Sequence, residues 1–215
     1  MYSVPLYKRL LSFLYPVRIW RGSSLQNRVL ELLLYQNQYQ LATDDALYSD
    51  GTRYRPLVLA FNEMKTSLTE VKSVLVLGTG LGSAVQILEG KKVSAEYTLV
   101  DIDKTVLNLA RNYLPKRSGL SFICADAVEF MKENTRKYDL VIVDVFLSRI
   151  VPGSVVARDF LSKCKAALND GGYIVINYII SADNEWQRVF GNITSVFPDP
   201  QIIGSGINRI IVAKS

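Results

Sequence analysis

Hydrophobic and polar positions follow two different rhythms, and the change falls near residue 50. In the first part Leu6, Leu10, Leu11 and Leu14 recur at helical spacing, with Lys8 and Arg9 on the opposite side. They predict a short amphipathic helix ending at Pro16, packed on the domain or a partner subunit. Helices lying on a membrane surface share this pattern. Strand-like runs follow at 17–20, 30–35 and 39–47, the last two joined by a turn through Gln36, Asn37 and Gln38. The expectation is a small N-terminal β unit covering residues 1–52.

From residue 73 the pattern becomes strand–helix. Strands read at 73–77, 97–101, 121–124, 140–144 and 173–177, with helices between them at 83–89, 104–113, 127–133 and 155–168. A further helix at 184–196 precedes two last strands, 201–203 and 209–213. The near-continuous apolar runs LVIVD and YIVIN predict a parallel sheet covered on both faces. The short 204–208 connection predicts a closing antiparallel hairpin. Residues 53–215 therefore read as an α/β domain of doubly wound, Rossmann-like type.

Composition narrows the chemistry. The chain has 215 residues, 49% apolar and 21% charged, enough for one domain and a small appendage. Its net charge of +5 comes from Lys and Arg interleaved with Asp and Glu, apart from a cluster of Lys8, Arg9, Arg18 and Arg21. A nucleic-acid partner would need a denser basic stripe, so none is expected. With no histidine there is no imidazole base or ligand, and Cys124 and Cys164 are too far apart for a zinc site, so no metal is expected. Both cysteines fall in segments that read as buried, which fits a reducing cytoplasm. No run is long enough to span a bilayer.

Candidate chemistry concentrates where strands end. The first α/β strand runs into Gly78-Thr79-Gly80-Leu81-Gly82, a strand, glycine turn and helix start of the kind that cradles an anionic or ribose-bearing ligand. A dinucleotide fold places Gly or Ala where Ser83 stands; the G-x-G-x-G form is common among S-adenosylmethionine-binding transferases. Asp101 ends the second strand, where an ionised acid can accept from both ribose hydroxyls, with Ile102 beside it. Asp103 suits the cap of the following helix. Asp126 can accept from an adenine amino group with Ala127 leaving room for the ring, or cap its helix, since Asp126 and Glu129 have capping-box spacing. Asp144 closes the fourth strand at the sheet's switch point, where it would orient or deprotonate an incoming amine. Asn177 reads as a turn residue.

With these segments assembled, the chain resembles the spermidine-synthase-like family of class I S-adenosylmethionine-dependent transferases, in its D-A-F type. The resemblance rests on 78–82, on Val100-Asp101-Ile102-Asp103 and on Cys124-Ala125-Asp126-Ala127. It continues through Asp144-Val145-Phe146, Pro152, Ala157-Arg158-Asp159-Phe160-Leu161, Gly171-Gly172 and Asn177. It implies sheet order 3-2-1-4-5-7-6 with the last strand antiparallel. Gly78, Thr79, Gly80, Gly82, Asp101, Ile102, Asp126 and Ala127 would hold S-adenosylmethionine or its decarboxylated form. Asp144 and Tyr54 would be catalytic, with Tyr54 and the 147–156 loop walling the acceptor. Pairing through the N-terminal region, as in other members, is also implied.

The departures concern the acceptor. Polyamine synthases carry D-S-S-D-P after the fourth strand, and here the second acidic position is Leu147. Their Y-H-E segment is Tyr54-Arg55-Pro56. A diamine needs carboxylates at both nitrogens, so a small acceptor other than a simple diamine is expected. Methyl transfer is the first expectation for that reason, with aminopropyl transfer from the decarboxylated donor as the alternative. A non-catalytic nucleoside-binding protein and a nicotinamide-dependent oxidoreductase remain as further readings.

Overall fold

A computed structural model describes residues 4–64, 67–116, 118–180 and 183–215. The first helix, α1 (Leu6–Leu11), leads into an antiparallel meander of β1 (Val17–Gly22), β2 (Leu30–Tyr35), β3 (Gln38–Ala42) and β4 (Leu47–Ser49). The expected 39–47 strand is thus two strands, because Thr43 folds back on Ala46 through both its backbone N–H and its hydroxyl. Gln36 and Asn37 alone turn the β2–β3 hairpin, both with positive φ, as a two-residue loop requires. Leu30, Leu32 and Leu41 on its inner face pack with Leu81 and Val106 of the second part.

Packing of α1 on the domain is not found. Leu6 and Leu14 are 72% and 78% exposed, and Leu10 and Phe13 also face solvent. The C-terminal part of α1 is tied down: Arg9 Nη1 donates to Asn37 Oδ1 at 2.7 Å, and Ser12 is buried, accepts from Asn37 N and offers its carbonyl to Gln36 N.

A further helix, α2 (Arg55–Glu63), stands where the sequence reading placed none. The signal was there in Leu57, Ala60, Phe61 and Met64, spaced i, i+3, i+4, i+7, with Pro56 in the first turn. All four are buried, and each contributes on the order of 1–3 kcal/mol of apolar burial.

The α/β part follows as β5 (Ser73–Leu77), α3 (Ser83–Gly90), β6 (Glu96–Asp101), α4 (Lys104–Tyr113), β7 (Leu120–Cys124), α5 (Ala127–Glu133) and β8 (Tyr138–Val143). It ends with α6 (Arg158–Ala166), β9 (Leu168–Ile179), α7 (Asp183–Val196), β10 (Gln201–Ser205) and β11 (Asn208–Lys214). The sheet runs β10-β11-β9-β8-β5-β6-β7, which is 3-2-1-4-5-7-6 read from its other edge. Strands β5 to β9 pair parallel, while β11 is antiparallel to both neighbours. This is the expected Rossmann-like arrangement.

One core layer joins the sheet to α5, α6 and α7, and another joins it to α2 and α3. The central strands are apolar throughout because both faces are covered. The helix expected at 155–168 is shorter than read: a 3-10 turn at Gly153–Val156 and α6 are separated by extended Ala157, and Leu168 already belongs to β9. Strand β9 is correspondingly long, so Asn177 lies within it, 2% exposed, and not in a turn. Cys164 is buried as expected, but Cys124 is exposed, since β7 is an edge strand with fewer neighbours to cover it. Among the described residues no helix is long and apolar enough to cross a membrane.

Candidate active site

The site begins where β5 stops. Gly78 N donates to Val100 O across the β5–β6 boundary, and the chain then turns with positive φ at Gly78, Gly80 and Gly82. Gly78 cannot be another residue in this geometry. Its φ is +88°, and an added Cβ would lie 2.2 Å from the Asp144 carbonyl oxygen. The turn and the carboxylate-bearing end of β8 are therefore in backbone contact.

Asp101 organises this turn. One carboxylate oxygen accepts from Thr79 N at 2.9 Å and Gly80 N at 3.3 Å, and the other accepts from Asp103 N at 3.0 Å. Burial pushes its pKa up from 3.8 to about 6, against the lowering pull of those N–H groups. A carboxylate offers about four acceptor positions, so these bonds leave roughly one for a ligand hydroxyl. The expectation that Asp101 accepts from both ribose hydroxyls thus meets a competitor in the turn's own backbone.

Asp103 caps α4, accepting from Thr105 N and Val106 N, while its other oxygen accepts from Ser24 Oγ and from Asn27 Nδ2 at 2.8 Å. Asp126 caps α5 through Val128 N and Glu129 N. The capping box is half formed, because the Glu129 carboxylate takes Lys132 at 2.6 Å instead of reaching back.

These elements enclose a cleft of about 280 Å³. Of the residues singled out in the sequence, Gly78, Gly80, Asp101, Ile102, Asp126, Ala127 and Asp144 line it. Thr79 and Gly82 do not. Thr79 is buried with its hydroxyl on Val100 O, and Gly82 caps α3 in the left-handed conformation, so both shape the turn from behind. The opposite wall comes from the N-terminal unit, through Gln26, Asn27 and Tyr48, which sequence reasoning missed because no pattern in one segment tells which other segment it will face.

Asp144, at the inner end of this cleft, is tied to a second cavity. The Tyr54 hydroxyl donates to Asp144 Oδ1 at 3.2 Å, and Asn177 Nδ2 donates to the same oxygen at 2.8 Å. Asn208 Nδ2 in turn donates to Asn177 Oδ1 at 2.8 Å, orienting the amide. Although the residue as a whole is half-buried, burial of the carboxyl pushes its pKa from 3.8 to about 7, opposed by the bonds from Asn177 and Tyr54. Tyr54 is held well above its ordinary pKa by burial and by the neighbouring Asp144, so it remains a donor.

Tyr54 lines the second cavity, also about 280 Å³, with Arg53, Arg55, Asp45, Asp50 and Asn208. Tyr48 and Phe146 border both cavities. Of the 147–156 loop, Leu147, Pro152, Ser154 and Val155 face the first cleft and Ser148 and Arg149 the second. Ser148 latches the loop to the N-terminal unit, donating from its N–H to Tyr48 Oη at 2.9 Å and from its hydroxyl to Asp45. Among the described residues no cluster of metal-ligating side chains occurs.

Residues 59–194 match the profile of the spermine/spermidine synthase domain. The chain belongs to that family. A polyamine aminopropyltransferase of Clostridium botulinum (strain Eklund 17B / Type B) is 28% identical over 139 residues, which is 61% of this chain and 46% of that protein. One of Clostridium perfringens (strain SM101 / Type A) is 30% identical over the same length and shares. The chain thus spans about half the length of the curated relatives it matches.

The fold has solved counterparts in a spermidine synthase from Thermotoga maritima and a probable spermidine synthase from Corynebacterium glutamicum ATCC 13032. The first has TM-score 0.69 at 19% identity, covering 92% of this chain and 72% of that one; the second has 0.76 at 16%, covering 93% and 80%. Human methyltransferase-like protein 13, solved in complex with SAH, aligns with TM-score 0.63 at 21% identity over 75% of this chain and 80% of that one. Class I Rossmann-like architecture is common to all of them.

Proposed function

We propose that this chain is a transferase that moves the aminopropyl group of decarboxylated S-adenosylmethionine onto an amine acceptor. The carrying observation is the Asp144 carboxylate, raised to about 7 and hydrogen-bonded to Tyr54 and Asn177 between two adjoining cavities. The family match reverses the order expected from sequence, where methyl transfer came first: the named relatives are aminopropyltransferases.

In this reading the nucleoside occupies the cleft of Gly78, Gly80, Asp101, Ile102, Asp126 and Ala127, with the sulfonium toward Asp144. The acceptor enters beside Tyr54. Its nitrogen lone pair attacks the carbon next to sulfur, the carbon–sulfur bond breaks, and methylthioadenosine leaves as a neutral thioether. The proton lost by nitrogen passes to the Asp144 carboxylate and then to solvent. A group with pKa about 7 suits that exchange at neutral pH. Otherwise catalysis comes from alignment and from excluding water, the latch of Ser148 on Tyr48 and Asp45 holding the loop over the site.

Calorimetry with S-adenosylmethionine, its decarboxylated form and methylthioadenosine tests the donor, followed by mass spectrometry of acceptors turned over with each. Tight binding of the decarboxylated donor and an aminopropyl adduct are expected. A methyl adduct formed from S-adenosylmethionine alone would reverse the assignment.

A further inference from the structure

The second cavity has an unusual charge balance for a site that receives an amine. Arg53, Arg55 and Arg149 line it, against Asp45 and Asp50. Arg53 is fully engaged, with Asp50 Oδ1 at 2.8 Å, Gln36 Oε1 at 2.8 Å and the Tyr35 carbonyl at 3.0 Å. Asp50 is taken by the same pair and by Gln40 Nε2. Asp45 is taken by the hydroxyls of Ser148 and Thr43.

Arg55 differs. Its Nε donates to Ser205 Oγ at 2.9 Å, and among the described residues no carboxylate stands within ion-pair distance of it or of Arg149. Arg55 is also the first residue of α2, a helix with no side-chain cap and no acid in its first turn. The positive end of the helix dipole therefore adds to the guanidinium. Tyr54, the adjacent residue, points the other way to Asp144. One wall of the cavity thus carries Tyr54, whose hydroxyl bonds to Asp144 in the adjoining cleft, and the neighbouring wall carries a planar cation with no carboxylate partner, with Ile179 and Ile207 supplying apolar surface.

We infer that the acceptor is an amino acid, its amine at Asp144 and Tyr54 and its carboxylate on Arg55, with Arg149 the second cation over the same mouth. This inference rests on the transferase reading given above. A guanidinium fork matches a carboxylate in two parallel hydrogen bonds, whereas a second ammonium placed there meets like charge.

The test is calorimetry on the chain saturated with methylthioadenosine, using γ-aminobutyrate, ornithine and putrescine. Of these, γ-aminobutyrate is close to putrescine in length but ends in a carboxylate. At least one of the two amino acids is expected to bind about tenfold or more tighter than putrescine, the size of one charge-assisted contact. Arg55→Gln removes that preference, Arg55→Lys keeps part of it, and Arg55→Glu turns it toward putrescine. Because the Arg55 side chain is exposed, each variant retains its methylthioadenosine affinity, which serves as the check on folding. Putrescine binding as tightly as the amino acids, or no amino acid binding, overturns the inference and leaves the transferase reading standing. Failure of methylthioadenosine itself to bind overturns both.

Discussion

The Tyr54 hydroxyl and Asp144 Oδ1 meet at 3.2 Å although 90 positions separate them in the chain. One residue precedes α2 and the other follows β8, so the bond forms only when α2 packs beneath the sheet. It also spans the two cavities, since Asp144 borders the glycine-turn cleft and Tyr54 the neighbouring one. Burying a carboxyl at such a junction costs stability, and the cost is what leaves it able to take a proton near neutral pH.

Asp144→Asn separates those two effects. The amide oxygen still accepts from Tyr54 and Asn177, but proton transfer is lost, and turnover falls roughly 10²–10⁴-fold. Stability moves the other way. Below pH 3.8 folded and unfolded wild type both hold the proton; between 3.8 and about 7 only the folded state holds it, so wild-type stability declines as pH rises. The variant escapes that decline, and its thermal midpoint exceeds the wild type's at pH 8 by the equivalent of up to about 4 kcal/mol, with little difference at pH 4. Equal midpoints at pH 8 would show that Asp144 is not strained by burial.

Tyr54→Phe keeps the ring and removes the donor. The Tyr54 bond lowers the Asp144 pKa, so its loss raises that pKa further. The acid limb of the kcat profile shifts to higher pH, and activity recovers as pH is raised. A uniform loss at every pH would instead mark Tyr54 as a purely structural wall.

Asp101→Ala weakens methylthioadenosine by about 1.5–3 kcal/mol in calorimetry, through lost charge-assisted bonds and through release of the Thr79 and Gly80 N–H groups it holds. In the wild type the same affinity declines as pH falls through about 6, where the carboxyl gains a proton and loses acceptor capacity toward those donors. Affinity that is flat from pH 5 to pH 8 would remove Asp101 from the nucleoside site.

Gly78→Ala puts a Cβ within 2.2 Å of the Asp144 carbonyl at a φ of +88°. Strain of roughly 1–3 kcal/mol or more is expected in denaturant titration. Because the displaced atom belongs to Asp144, kcat falls more than donor affinity does. A variant that loses affinity alone would separate the turn from the Asp144 end of β8.

Much of this was legible in sequence, and the reason lies in local pattern. β5 and α4 appear over the residues read from periodicity, and Asp103 and Asp126 cap the helices they precede, because capping needs only the next few residues. Asp144 was singled out from its place at a strand end, and Tyr54 through the family likeness. Asn177 was read as a turn residue and given no site role, because a buried amide that orients a carboxylate looks like any polar residue at a strand's end until β11 supplies Asn208. The walls from Gln26, Asn27 and Tyr48 escaped for the same reason: they act on a cleft whose other residues lie far along the chain. The absent helix was different. The spacing of Leu57, Ala60, Phe61 and Met64 carries it in the sequence itself.

The hydrogen bonds of Ser24 and Asn27 to Asp103, and of Ser148 to Tyr48 and Asp45, bear on how the two parts of the chain depend on each other. A boundary between residues 52 and 53 separates two folding patterns but runs through a single cleft. A fragment cut there would keep the glycine turn and Asp144 while losing one bank of the cleft and the anchor of the loop above it. Substitutions at Asn27, Tyr48 or Asp45 therefore alter the wall of the cleft and the anchor of its loop, although the glycine turn and Asp144 lie on the other side of that boundary.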